Sequence, residues 1–326
     1  MKRRQVRSSW WLSALYMAAG VGMVACNAAH AAFPDRPISI VVPFTAGGGT
    51  DITARLLARS MEKVSGARVI VVNRPGAGGE IGMASVVDAP ADGYTLGIVN
   101  TPNALTIPIE RPAKFTLGGF DLLANIVDDP GTLSVHADSA IRTLNDLILA
   151  ARGAPDTLTY GTAGIGSAGH ISMLLFQSAA GIRLRHIPFK GTSDVRTALI
   201  GKQIDVATAN LGEALMFARG QPWRTLGQMK AQRSPMAADV PTFAEAGYPV
   251  ESGSLRGLGA PKGLPPDTLA SLTRIIDAAM NDPEFRDATR KAEQDILHLK
   301  GDAYATTLQG MDTQFRQLWQ TSPWNP

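Results

Sequence analysis

Short β-rich runs alternate with amphipathic helical stretches along nearly the whole chain beyond residue 37, and this alternation restricts the fold more than any other feature. A strand, a helix and a second strand in succession pack as a parallel unit whose helix covers one sheet face. The pattern therefore predicts an α/β protein with largely parallel sheets. Strands are expected at 38–44, 68–73, 94–100, 122–127, 158–160, 184–187 and 204–208. Helices are expected at 50–64, 79–87, 143–152, 167–180, 193–200 and 211–219, the first with Ile52, Leu56 and Met61 on one stripe. Beyond residue 240 the chain turns helix-rich, with helices at 241–247, 265–280, 283–293 and 302–319 and one strand at 254–260. Pro265-Pro266-Asp267 suits a helix start, because proline has no N–H to leave unpaired in a first turn. A strand-poor tail after a compact middle predicts a chain that crosses into a second lobe and returns, near 125–135 and 225–235.

The first 31 residues read as a leader rather than as part of this fold. Lys2, Arg3, Arg4 and Arg7 precede an apolar run from Trp10 to Ala25, and Ala29-His30-Ala31 has the small-residue spacing of a cleavage site. The run is shorter than the roughly 20 residues that span a bilayer. Met23-Val24-Ala25-Cys26 offers a competing reading, a lipobox that would lipidate Cys26 and anchor the chain. The leader also carries the charge excess: of 31 Lys+Arg, four lie in it, leaving 27 against 28 Asp+Glu. A basic pI with that origin gives no reason to expect nucleic acid as a partner. Cys26 is the only cysteine, so the body of the protein has no disulfide framework, no zinc–cysteine site and no cysteine nucleophile.

Three turns between a strand and a helix carry the chemistry. In Pro43-Phe44-Thr45-Ala46-Gly47-Gly48-Gly49-Thr50-Asp51 the glycines allow backbone to approach a ligand. The unpaired N–H groups of the following helix lie at the positive end of its dipole, so such a turn holds an anion without a cation. No Gly-Lys-Ser/Thr follows, so it is not a P-loop. Its plain alternative is a tight turn capped by Thr50 or Asp51. Tyr160-Gly161-Thr162-Ala163-Gly164-Ile165-Gly166-Ser167-Ala168-Gly169-His170 repeats the arrangement, and two anion-receptive turns suit a ligand with a carboxylate at each end. In the third turn, Ala209-Asn210-Leu211-Gly212-Glu213, Asn210 can cap the helix, contact a ligand, or do both. An enzyme is disfavoured. Ser167 and His170 stand three apart, which places Ser167 at a helix cap, and no G-x-S-x-G elbow surrounds it. His136, His170, His186 and His298 lack metal-ligand spacing, and neither a metal nor a cofactor is expected.

At these residues the chain resembles the Bug family, the TctC-like periplasmic receptors of tripartite tricarboxylate transporters. The resembling stretches include Phe33-Pro34-Asp35-Arg36-Pro37-Ile38, Val41-Val42-Pro43-Phe44, Val72-Asn73-Arg74-Pro75-Gly76-Ala77-Gly78-Gly79 and Ala91-Asp92-Gly93-Tyr94-Thr95-Leu96. Gly166-Ser167-Ala168-Gly169-His170, His186-Ile187-Pro188-Phe189-Lys190-Gly191 and Asp239-Val240-Pro241-Thr242 extend the match. The resemblance implies a type II periplasmic-binding-protein fold, two α/β lobes closing on a cleft, with lobe 1 at 32–128 and 230–326 and lobe 2 at 129–229. It implies ligand contacts at Phe44, Ala46, Gly48, Thr50 and Asp51 in the first lobe and at Thr162, Ala163, Gly166 and Ser167 in the second, while Asn73-Arg74-Pro75-Gly76 and His186–Pro188 support the fold. The turns themselves add Gly47 and Asn210 as candidate contacts. Two departures stand out: Ala209 where many relatives have an acid, and Ser254-Leu255-Arg256-Gly257 where many have an aromatic. Arg256 either faces the cleft and pairs with a carboxylate or packs as a surface arginine. The implied function is capture of a small di- or tricarboxylate for the membrane subunits of such a transporter. A ligand-presenting role toward a sensory kinase is the alternative, and an exported enzyme on the same fold a third.

Overall fold

The computed structural model describes residues 33–324, and the stretch expected to be a leader, with Cys26, lies outside them. Ten strands and ten helices follow in the order β1 Ile38–Val42, α1 Gly49–Ser65, β2 Val69–Asn73, α2 Glu80–Val87, β3 Thr95–Asn100, α3 Asn103–Glu110, β4 Phe120–His136, α4 Leu144–Gly153, β5 Thr159–Thr162 and α5 Ala168–Ala180. The chain continues through β6 Arg185–Pro188, α6 Thr192–Ile200, β7 Val206–Asn210, α7 Leu211–Ala218, β8 Trp223–Gln228, β9 Gly253–Pro261, α8 Pro266–Asn281, α9 Pro283–Lys291, β10 Asp295–Lys300 and α10 Gly301–Thr321. Among these residues no helix is long and apolar enough to cross a membrane.

The strands form one curled sheet in the order β2-β1-β3-β9-β4-β7-β5-β6, with β8 and β10 also paired to β4. Its first half is parallel across β2, β1 and β3, and its second across β7, β5 and β6. Parallel strands have both faces covered, which explains β1: Ile38, Ile40 and Val42 face one core while Val41 faces the other. The second half has its own two cores, one around Leu133, Tyr160 and Phe176 and one around Val195, Leu199 and Trp223.

The 17-residue β4 joins the halves. Its start pairs with β9 and β10, and its end with β7 and β8. The strand expected at 122–127 extends in the structure through Asp128-Asp129-Pro130-Gly131 to His136. In the fold those acids are held by partners far along the chain. Lys230 pairs with Asp128 at 3.2 Å and Arg256 with Asp129 at 2.8 Å, so the strand runs on. Beyond β8, Met229, Phe243 and Val250 pack in the Leu133 core, Lys230 pairs with Asp295 of β10 at 3.1 Å, and β9 then pairs with β3 and β4, with Gly253 opposite Pro130.

Three elements escaped the sequence reading: α3, which carries Pro108 inside it, and the strands β8 and β10. The buried stripe of α1 also differs. Ala54, Leu57, Ala58 and Met61 face the core, whereas Ile52 and Leu56 are only partly covered. The small Ala54 and Ala58 let the helix lie close on the sheet.

Candidate ligand-binding site

A cavity of about 400 Å³ opens where the two halves of the sheet face each other, within the size range of small-molecule sites. Its wall is built from helix starts. Gly48, Gly49 and Thr50 bring the N-terminus of α1, Asn103 that of α3, and Ser167, Ala168 and Gly169 that of α5. Gly191 and Thr192 bring α6, and Asn210 brings α7. Five helices thus turn their N-terminal ends toward one space, each at a strand-to-helix turn, with the Gly212 N–H of α7 already given to Asp129. Partial positive charge accumulates there without any ionised group.

Two cations add to it. Lys190 is exposed at the rim on the second half, beside the start of α6. Arg256, on β9 in register with Asn100, is buried at 4% exposure. Its Nη2 lies 2.8 Å from Asp129 Oδ2, while Nε and Nη1 have no hydrogen-bond partner. The surface-arginine alternative is therefore excluded. Gly49 makes the position possible, because a Cβ there would come within 2.8 Å of Nη2 and 3.1 Å of Cζ.

The wall also contains a carboxyl. Burial pushes Glu213 above its ordinary range, and the neighbouring Asp129 charge adds to this against the opposing pull of Arg256. Burial thus disfavours the charged form of Glu213. Its Oε2 accepts the Asn210 N–H at 3.2 Å, and Asn210 Nδ2 donates to Ser254 Oγ at 2.9 Å, tying the third turn to β9 across the cleft.

Of the twelve residues expected at the site, Phe44, Gly48, Thr50, Ala163, Ser167, Asn210 and Arg256 line the cavity. The other five stand outside its wall, each for a local reason. Gly47, at φ +86°, donates its N–H to Asp51 Oδ2 at 2.8 Å, and Ala46 beside it is exposed to solvent. Asp51 is 2% exposed and also accepts from Arg55 Nε and Asn73 Nδ2. Burial alone would raise its pKa, but these three donors together hold it below the ordinary range. It is a fastener of the turn. Thr162 turns its hydroxyl to His186 Nε2 at 2.7 Å and to the Gly164 carbonyl. Gly166 lines a separate depression with Glu110 and Arg111.

Lys190, Gly191 and Thr192 were missed, although strand, glycine, threonine and helix in that order are the same signal read in the first two turns. Asn100, Asn103, Glu213 and Ser254 also line the cavity and had no such local signal. The Ser167–His170 spacing is a cap: Ser167 Oγ accepts the His170 N–H at 3.4 Å and donates to the Gly164 carbonyl at 2.7 Å. The His170 ring accepts the Gly166 N–H at Nδ1 and stacks on His186 with centroids 3.9 Å apart.

Residues 53–320 match the model of the tripartite tricarboxylate transporter family receptor. The Cupriavidus necator UPF0065 protein in the gbd 5′ region is 31% identical over 306 residues, covering 94% of this chain and 93% of its own length. The chain belongs to the tripartite tricarboxylate transporter receptor family. A Rhodopseudomonas palustris protein solved with adipate aligns with a TM-score of 0.79 at 29% identity, over 89% of this chain and 98% of that one. A second protein of that organism, solved with malate, gives 0.75 at 26%, over 88% and 99%. As a TctC-like receptor, the chain has the two-lobed α/β fold of the periplasmic binding proteins and is a solute-binding protein rather than an enzyme.

Proposed function

We propose that this receptor captures a small organic acid, a di- or tricarboxylate, outside the cytoplasm and delivers it to the membrane subunits of a tripartite tricarboxylate transporter. The observation that carries the reading is the convergence of five helix N-termini on one cavity that also holds Arg256 and Lys190 in its wall. Such a wall favours a compact anion and offers little to a neutral sugar or an amine. The adipate and malate held by the two R. palustris proteins support the same ligand class.

In this reading residues 1–31 are removed on export and the mature protein is periplasmic, starting near Ala32. Mass spectrometry of the exported form separates this from a lipid on Cys26. The lobes are 32–128 with the C-terminal part, and a second lobe from residue 129. The packing of Phe243 and Val250 favours a return at β9 over one at residue 230.

Calorimetry with a panel of organic acids, sugars and amines tests the proposal. One-to-one binding of a di- or tricarboxylate is expected. Binding of sugars or amines, with no organic acid bound, would overturn it.

A further inference from the structure

The guanidinium of Arg256 is an unusual wall for a ligand cavity. It is almost wholly buried, ion-paired with Asp129 at one nitrogen, and has two nitrogens without any partner. Burying a cation with unmet donors is costly, and Asp129 offsets the charge without satisfying Nε or Nη1. Four features indicate that the fold keeps the group for a ligand. Gly49 leaves room for it at the start of α1, where a Cβ would collide with Nη2. β9 fixes its backbone between β3 and β4. Asp129 is itself anchored by the Gly212 N–H at 3.2 Å. And Arg256 lines the cavity.

On the first half of the sheet Arg256 shares the cavity with the starts of α1 and α3, and on the second half Lys190 shares it with the starts of α5, α6 and α7. The cavity therefore has two separated anion-receptive ends.

Resting on the carboxylate reading above, we propose that Arg256 is the specificity-determining residue of the site, taking one carboxylate of a dicarboxylate whose other carboxylate lies at the starts of α5 and α6. Asp129 orients the guanidinium and lowers the net charge at that end, so the end accepts one carboxylate and selects against ligands that place a methyl group there. An arginine suits this task, since it stays ionised when buried and presents several donors in a fixed plane.

The test compares adipate with hexanoate, and malate with 2-hydroxybutyrate; in each pair a terminal carboxylate is replaced by methyl. Wild-type protein is expected to bind at least one diacid at least tenfold more tightly than its partner. Arg256→Gln reduces that preference to about twofold or less, mainly by weakening the diacid, and Arg256→Lys restores part of it. If Arg256→Gln fails to fold because Asp129 is left unpaired, Arg256→Gln with Asp129→Asn removes both charges and is read in the same way. Lys190→Gln weakens both members of a pair alike and so keeps the preference, since the carboxylate at the starts of α5 and α6 is common to both. A purely structural Arg256 would weaken both members of a pair equally, and that result overturns the inference while leaving the carboxylate reading intact. Loss of the preference in Lys190→Gln with its retention in Arg256→Gln also overturns it. Wild-type protein that binds none of the four acids refutes this inference, and the calorimetric panel then decides the carboxylate reading separately.

Discussion

Gly49 and Gly48 stand side by side in one turn and do different things. Gly48 has φ −82°, open to any residue, and a Cβ there would meet only the Thr45 carbonyl at 3.9 Å. Gly49 is pressed against Arg256, so Gly49→Ala is expected to push the guanidinium aside and weaken diacid binding about tenfold with little loss of stability. Titration calorimetry and a thermal melt of the same protein check the two halves of that statement. The paired histidines give a second residue-scale prediction. Burial lowers His170 to about 3, with the His186 charge adding to it, and burial lowers His186 to about 4, both from 6.5. Above pH 6.5 both are neutral in folded and unfolded chains. Below it the unfolded chain takes up protons that the folded chain refuses, so stability falls as pH drops from 6.5 toward 4. His170, 5% exposed, should remove on the order of 2 kcal/mol by pH 5. Melting temperatures measured from pH 7.5 to 5 should show the fall, and His170→Gln should flatten it.

Among the elements, the helix starts make the site, and their precision depends on close packing behind them. Gly169 in the first turn of α5 has no space for a side chain, because a Cβ would come within 2.1 Å of Thr208 Oγ1 on β7. That contact sets how near α5 approaches the sheet, hence where its N–H groups stand in the cavity. The C-terminal segment is an element of a different kind. Trp324 is 2% exposed, packs on Trp319 with centroids 4.6 Å apart and donates Nε1–H to Glu110 Oε2 at 3.2 Å. Its ring also lies beside Gly166, where a Cβ would be 3.6 Å from Cδ1, so the tail reaches from α3 to the turn before α5. Trp324→Ala should cost about 3 kcal/mol, as for other buried tryptophans. Chemical denaturation gives the value directly. An unchanged midpoint would mean the tail is not docked in solution.

For the whole molecule, the sheet is continuous through β4 and β9, which pair side by side from Phe120 to Pro130. These two strands connect the halves, and the cavity lies where those halves meet. A ligand that contacts both halves binds the folded chain and not the unfolded one, so it raises the melting temperature by mass action. At a hundred times its dissociation constant the gain is about 2.7 kcal/mol. For a chain of this size that corresponds to roughly 4–5 °C. A thermal-shift screen should rank diacids above their monoacid partners, and Arg256→Gln should compress that ranking.

The sequence by itself determined the α/β class, nearly all helix positions and the first two glycine-rich turns, because hydrophobic period and glycine placement act over a few neighbours. It also located Arg256 as a departure, though not its environment. What it could not determine depended on partners far along the chain. Asp128 and Asp129 lie beyond the end of the expected strand, and their pairing with Lys230 and Arg256 accompanies the continuation of β4 through them. Asp51, equally plausible as a ligand contact, was claimed by Gly47, Arg55 and Asn73. A glycine-rich turn announces that backbone is available; only the packing of strands decides which donors face the cavity and which are spent on holding the turn.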